Sequence, residues 1–381
     1  MSFKDQKLLE DKKRNTVLFY PYISKKTVKL LSSRLKTRWV GQGPMVDKFE
    51  KNFSKLFLNK KKCIATGSGT DALHLAYILA GIKKNDEVLV PVFTCTATNI
   101  PLLYIGAKIR FVDINPNTMN ISIADLKRKI SKKTKAIVCV HYGGNVCEMK
   151  EILKIEKKKN IKVIEDAAQA LGAEYNNKKI GTLSDFTTFS FQAIKHITTG
   201  DGGLLAIKNQ KLISKAKRIR WFGIDREKKQ KGTWENDIKE IGYKYQMTDL
   251  GACIGLTGLE DFNNIIKHRR KIYNIYLKGF RKNKKIKCIH DYSKKNKTGA
   301  WLFTICSDMK DKIQKKLKEF NIESNQVHFR NDKYSIFKKF VKKDKFRNMD
   351  YIENKYLVLP LHTKVASSDA EKIVRVINSI K

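Results

Sequence analysis

Short apolar runs alternate with amphipathic stretches along most of the chain. Glu87 to Pro91, Ile109 to Asp113, Ala136 to His141 and Lys162 to Glu165 are the right length for buried strands and too short for helices. Between them, Thr96 to Tyr104, Ile123 to Ile130 and Glu148 to Lys157 space their apolar residues for one face of a helix. Strands that are apolar throughout and separated by helices predict a mostly parallel sheet covered on both faces. Phe186 to Phe191 and Leu204 to Ile207 complete that sheet. Upstream, Trp39-Val40-Gly41-Gln42-Gly43-Pro44 reads as a loop feeding a helix that carries Val46, Phe49 and Phe53. Cys63 to Thr66 reads as a strand leading through a small-residue turn into another helix. A long helical stretch from Leu250 to about Phe280 leads to a smaller α/β unit. There the pattern predicts a strand at Leu302 to Cys306, a helix at Lys312 to Phe320, strands at Asn325 to Phe329 and Tyr356 to Leu359, and a closing helix at Asp369 to Ile380. The chain therefore divides into a large α/β domain, residues 1–255, and a small C-terminal one, residues 256–381.

Nothing in the pattern approaches the ~18 unbroken apolar residues of a membrane span. The opening Met1-Ser2-Phe3-Lys4 lacks an apolar leader, so the expected location is cytoplasmic. Seven cysteines, an odd number with no CxxC pair, fit reduced thiols and no zinc site.

The net charge of +42 stands out. A field that strong attracts polyanions. Yet Lys dominates over Arg, and its runs (Lys60 to Lys62, Lys157 to Lys159, Lys228 to Lys231) are spread along the chain, unlike the Arg-rich aromatic patches of nucleic-acid readers. The expectation is nonspecific binding to nucleic acid at most, with a positive field that helps recruit a nucleotide diphosphate.

Two predicted strands run into residues of chemical interest. The first leads into Glu165-Asp166-Ala167-Ala168-Gln169-Ala170. The second ends at Phe189-Ser190-Phe191, and Lys195-His196-Ile197-Thr198-Thr199-Gly200-Asp201-Gly202-Gly203 follows at once. Ligands of open α/β sheets bind in the crevice at the carboxyl ends of the strands. A carboxylate, a hydroxyl and an amine delivered there suit pyridoxal phosphate (PLP). Its aldehyde takes a lysine amine, its ring nitrogen an acidic partner, and its phosphate hydroxyls and helix N-terminal N–H groups. Gly67-Ser68-Gly69-Thr70, at a helix start, can offer such N–H groups. Each piece alone is ordinary: a lysine in a Gly/Thr loop is most often a solvated surface residue, and Gly-Ser-Gly-Thr most often a turn.

In this order the segments resemble the DegT–DnrJ–StrS family of nucleotide-sugar aminotransferases, PLP enzymes with an aspartate aminotransferase-like fold. The resemblance runs from about Trp39 to the end. It includes Gly41-x-Gly43-Pro44-x-Val46, Ser68-Gly69-Thr70-x-Ala72-Leu73, Gly242-Tyr243-x-Tyr245-x-Met247-x-Asp249 and Leu359-Pro360-Leu361-His362. It implies that Lys195 bonds the cofactor and shuttles a proton. Asp166 would pair with the ring nitrogen, Gln169 would lie by the ring or its phenolic oxygen, and Ser68, Gly69, Thr70 and Ser190 would hold the phosphate. Lys244 would reach a phosphate across a homodimer with shared active sites. Glutamate would donate the amino group, and a nucleotide-diphosphate keto-sugar would accept it.

The chain departs from the family in three places. Cys95, in Thr94-Cys95-Thr96-Ala97-Thr98, stands where many relatives stack an aromatic on the ring, which leaves the thiol, Phe93 or weak stacking. Lys244 replaces an asparagine, and Gln246 an arginine whose contact is thereby in doubt. His196 reads as packing, and His141, His328 and His362 as core or sugar-pocket lining. PLP-dependent sugar dehydratases of the same family carry histidine in place of the lysine, so Lys195 favours transfer over dehydration. A nucleic-acid-binding regulator on the same fold is the reading the charge alone would support.

Overall fold

The computed structural model describes residues 16–234, 237–341 and 344–380. The leaderless start expected from residues 1–4 lies outside them. Among these residues nine strands precede the long helix: β1 (Cys63–Thr66), β2 (Glu87–Pro91), β3 (Lys108–Val112), β4 (Thr134–Val140), β5 (Lys162–Asp166), the short hairpin β6 (Glu174–Tyr175) and β7 (Lys178–Lys179), β8 (Phe186–Ser190) and β9 (Gly203–Ile207). Seven of them form one sheet in the order β1-β9-β8-β5-β4-β2-β3. Its β8-β5-β4-β2-β3 portion is parallel, whereas β9 runs antiparallel to both β8 and β1.

Strand residues alternate between faces, which is why every run had to be apolar throughout. Ile64, Val88, Val90, Val138 and Ile164 pack on the side of helix Gly69–Leu79. Leu89, Ile137, Cys139 and Val163 face the opposite way, toward helix Met149–Lys159. On that same side Ala65, Phe189 and Leu204 meet helix Pro44–Phe57 and the first half of helix Asp249–Phe280.

A three-stranded antiparallel sheet, β10 (Lys287–Ile289), β11 (Phe303–Cys306) and β12 (Tyr356–Leu359), packs on the far half of the long helix and on helices Lys310–Glu319 and Ser367–Asn378. The pattern did not predict β10. The strand expected at Asn325 to Phe329 does not form. Asn325 makes one bridge to Val358, and the segment then crosses to the large sheet, where Arg330 bridges to Phe93. Asn331 completes that crossing: its N–H donates to the Val92 carbonyl (2.7 Å) and its side-chain amide to the Thr94 carbonyl (2.8 Å). A segment that ties two sheets together cannot stay in the ladder of one.

Candidate active site

Three strand ends converge. β5 ends at Asp166, β8 at Ser190, and β1 at Thr66, just before the turn into helix Gly69–Leu79. The antiparallel registers set both Ser190 and Thr66 opposite Gly203. Close approach requires glycine twice. A Cβ on Gly203 would collide with the Ser68 carbonyl, and one on Gly69 would lie 3.0 Å from Ser190 Cβ. Ser68 caps the helix, its hydroxyl accepting the Asp71 N–H at 3.0 Å. Ser68, Gly69, Thr70 and Ser190 thus form one half-buried cup at a helix N-terminus.

Asp166 is buried. Thr98 Oγ1 donates to its Oδ2 (2.7 Å) and the Ala168 N–H to its Oδ1 (3.0 Å), while Thr94 backs Thr98 at 2.8 Å. Lys195 lies in the turn after β8, its N–H donating to the Gln192 carbonyl at 2.9 Å. Its Nζ sits 3.9 Å from the centre of the Trp301 ring. Burial pushes the amine down from 10.5 to about 8, against the opposite pull of Cys95 and Asp166.

Gln169, expected beside a bound ring, is tied on both sides within the chain. Its Oε1 accepts the Gly143 N–H (2.6 Å), which fixes the amide orientation, so its Nε2 donates to His328 Nε2 (2.9 Å). His328 therefore holds its proton on Nδ1 and is neutral. Burial first, and the Lys195 charge second, push its pKa down to about 3. His196 is buried packing, donating to the Gly299 carbonyl at 2.6 Å. Phe93, one of the options for stacking, is buried against Tyr142 and Tyr356. Cys95 is the exposed thiol beside Lys195.

Lys244 stands apart from this cluster. It is exposed, its Nζ 4.4 Å from the Trp221 ring centre. The backbone around it is nevertheless joined to the cup, since the Tyr245 carbonyl accepts the Gly67 N–H at 2.7 Å and Gln246 bridges to Thr66.

Sequence reasoning missed Trp301, Gly143 and the role of Thr98. Thr94 and Thr98 stand four residues apart at a helix start, a spacing that could have marked Thr98. Nothing local marks Trp301, whose indole N–H donates to the Ile194 carbonyl 107 residues away.

Known proteins are similar to this chain over most of its length. The chain is 33% identical over 366 residues to a UDP-4-amino-4,6-dideoxy-N-acetyl-beta-L-altrosamine transaminase of Campylobacter jejuni, covering 94% of this chain and 95% of the relative. It is 33% identical over 316 residues to a GDP-perosamine synthase of Escherichia coli O157:H7, covering 82% and 84%. Among solved structures, Spr1654 of Streptococcus pneumoniae, a sugar aminotransferase by inference and solved in its PLP form, superposes with a TM-score of 0.88 at 26% identity, covering 95% and 97%. The sequence matches one family description from residue 21 to residue 378, and the chain belongs to the DegT/DnrJ/EryC1/StrS aminotransferase family.

Proposed function

We propose that this chain is a PLP-dependent transaminase that moves an amino group from glutamate onto the keto group of a sugar carried on a nucleoside diphosphate. The observation that carries the reading is the half-buried Lys195, its amine against the Trp301 ring, in the same crevice as the Asp166 carboxylate and the Ser190–Gly69 cup. The fit to PLP rests on this chain's own contacts. A Cβ at Gly69 would fill the space a phosphate needs, and Asp166 retains acceptor capacity beyond its bonds to Thr98 and Ala168.

When bound, PLP supplies an electron sink for negative charge at the substrate carbon. The protein's part is binding, orientation and proton movement. Asp166 would take the ring nitrogen and keep it protonated. Ser68, Ser190 and the N–H groups of Gly69 and Thr70 take the phosphate, where the helix N-terminus favours negative charge. Lys195 would hold the aldehyde and, when free, would move a proton at the substrate carbon. An amine with a pKa of about 8 exchanges protons in both directions near neutral pH. Gln169 would lie by the ring, its amide held in place by Gly143 and His328.

The remainder of the reading is as follows. Residues 1–255 hold the cofactor, and residues 256–381 close one side of the crevice. The enzyme works in the cytoplasm as a homodimer with shared active sites, Lys244 serving the neighbouring subunit. Relatives that carry UDP- and GDP-linked sugars match this chain at the same identity, so the reading names the substrate class and not the base.

Borohydride treatment of the purified protein should leave the cofactor on Lys195 by peptide mass spectrometry; an adduct on another lysine would overturn the site. Incubated with nucleotide keto-sugars and glutamate, the enzyme should give an amino sugar in step with 2-oxoglutarate. A product that has lost a hydroxyl and gained no nitrogen would assign it to dehydration instead.

A further inference from the structure

Whenever Lys195 is not bonded to the cofactor, its amine must be held where it can return. Four titratable groups surround it. Asp166 comes from the end of β5, Cys95 from the loop before helix Thr96–Ile105, His328 from the crossing segment, and His196 is its neighbour in the chain. Among the described residues none of them bonds the amine. Its contact is the face of Trp301, 3.9 Å away.

That ring has little freedom. It is buried, near-parallel to Phe19 (5.8 Å, 24°) and to His328 (6.3 Å, 20°), and its N–H donates to the Ile194 carbonyl at 3.1 Å. Its backbone is fixed as well, since the N–H groups of Trp301 and Leu302 both donate to the Gly143 carbonyl at 3.0 Å. One residue just ahead of β11 thus grips the chain next to Lys195 and offers its π face to the lysine.

We propose that Trp301 is a positioning residue that parks the free Lys195 amine on its indole face between its two jobs of anchoring the cofactor and moving the proton. A desolvated ammonium is drawn to the negative face of an indole. Burial alone would drive the amine to its neutral form, and the ring opposes that shift without forming a salt bridge that would have to break in each turnover. Neutral His328 completes the wall without adding a competing charge. The inference rests on Lys195 being the cofactor lysine, but its test reads the amine itself.

The experiment uses the full-length, cofactor-free chain. Trace acetylation with acetic anhydride is followed against pH, and mass spectrometry compares the peptide carrying Lys195 with that carrying the exposed Lys61. In the wild type, Lys195 should titrate well below Lys61. Trp301→Leu and Trp301→Met, which keep apolar volume and lose the π face, should lower the Lys195 midpoint by a further unit or about that. Trp301→Phe keeps a π face and should move it by less than half as much. Midpoints unchanged or raised in Leu and Met overturn the proposal. So does a Phe variant that shifts as far as Met, because the indole hydrogen bond would then be the cause. Circular dichroism selects the folded variants, and the Met–Phe comparison decides if Leu does not fold. Borohydride labelling of a lysine other than Lys195 would instead remove the functional reading while leaving this titration intact.

Discussion

Lys195 shows how one residue answers two opposing demands. The chemistry proposed for it needs an amine that gives up a proton near neutral pH, and the fold supplies this by burial, at a cost to the folded state. The sign follows from the shift. The folded chain binds this proton with a pKa of about 8, against 10.5 for the free side chain, so between those values the unfolded chain holds more protons. Stability of the cofactor-free protein should therefore rise with pH across that window. Lys195→Met should raise the melting temperature at pH 7 and flatten the rise, while abolishing turnover. A Lys195→Met melting profile that keeps the wild-type slope would mean that another group titrates there. One buried carboxylate shows the opposite device. Glu165, next to Asp166 but facing the other side of the sheet, accepts from His141 Nε2 (2.9 Å), Ser184 and Thr187. Burial raises its pKa, but these donors outweigh burial and hold it below its usual value.

At the scale of elements, two motifs that look separate in the sequence turn out to be one structure. Helix Pro44–Phe57 begins at Gly43, which has no side chain with which to cap it. The cap comes from Asp249, fully buried, whose carboxylate accepts the N–H groups of Gly43 (2.8 Å), Val46 (3.1 Å) and Met45 (3.2 Å). A Cβ at Gly43 would press on Trp39 (2.7 Å) and Asp249 (2.8 Å), so the glycine is required by packing. Asp249 is itself the first residue of the long helix, so the bond fixes that helix against the loop at Trp39. Asp249→Ala should destabilise the chain by about 2 kcal/mol or more, since several buried donors lose one anion. Urea unfolding measures this, and a loss below about 0.5 kcal/mol would show that water replaces the carboxylate there. The motif around Tyr243 to Asp249 thus has a structural duty at one end, while Lys244 lies exposed against the Trp221 ring.

For the whole molecule, the shared-site reading makes a quantitative demand. Lys195→Ala and Lys244→Ala subunits, each inactive alone, should regain about a quarter of wild-type activity when mixed and reassembled. Half of random dimers are hybrids, and each hybrid has one competent site. Hybrids shown to form but inactive would mean that Lys244 does not act across the dimer. The charge also belongs to this scale. Many of its lysines are paired or solvated singly, as in Lys26–Glu260, Lys127–Glu151 and Lys297–Glu174, and such exposed pairs contribute little to stability. Among the described residues no helix is long and apolar enough to cross a membrane.

What the sequence determined by itself was local in its physics. Strands buried on both faces must be apolar throughout, helices must carry a stripe, and turns packed against a strand end must be small, so the central sheet, its order along the chain and the nearness of Ser190 to the Ser68–Thr70 turn were legible. The reading failed or fell silent where a residue's partner lies far along the chain. Asn325 to Phe329 has the composition of a strand, but the pull of Asn331 on the Val92–Thr94 loop took it out of the ladder. Trp301 carries no local mark of its contact with Lys195, and Gln169 none of its bonds to Gly143 and His328. Only the tertiary structure decided these, because a side chain's pKa, a glycine's necessity and a ring's position depend on which distant groups are packed within a few ångströms, and those distances are set by the fold as a whole.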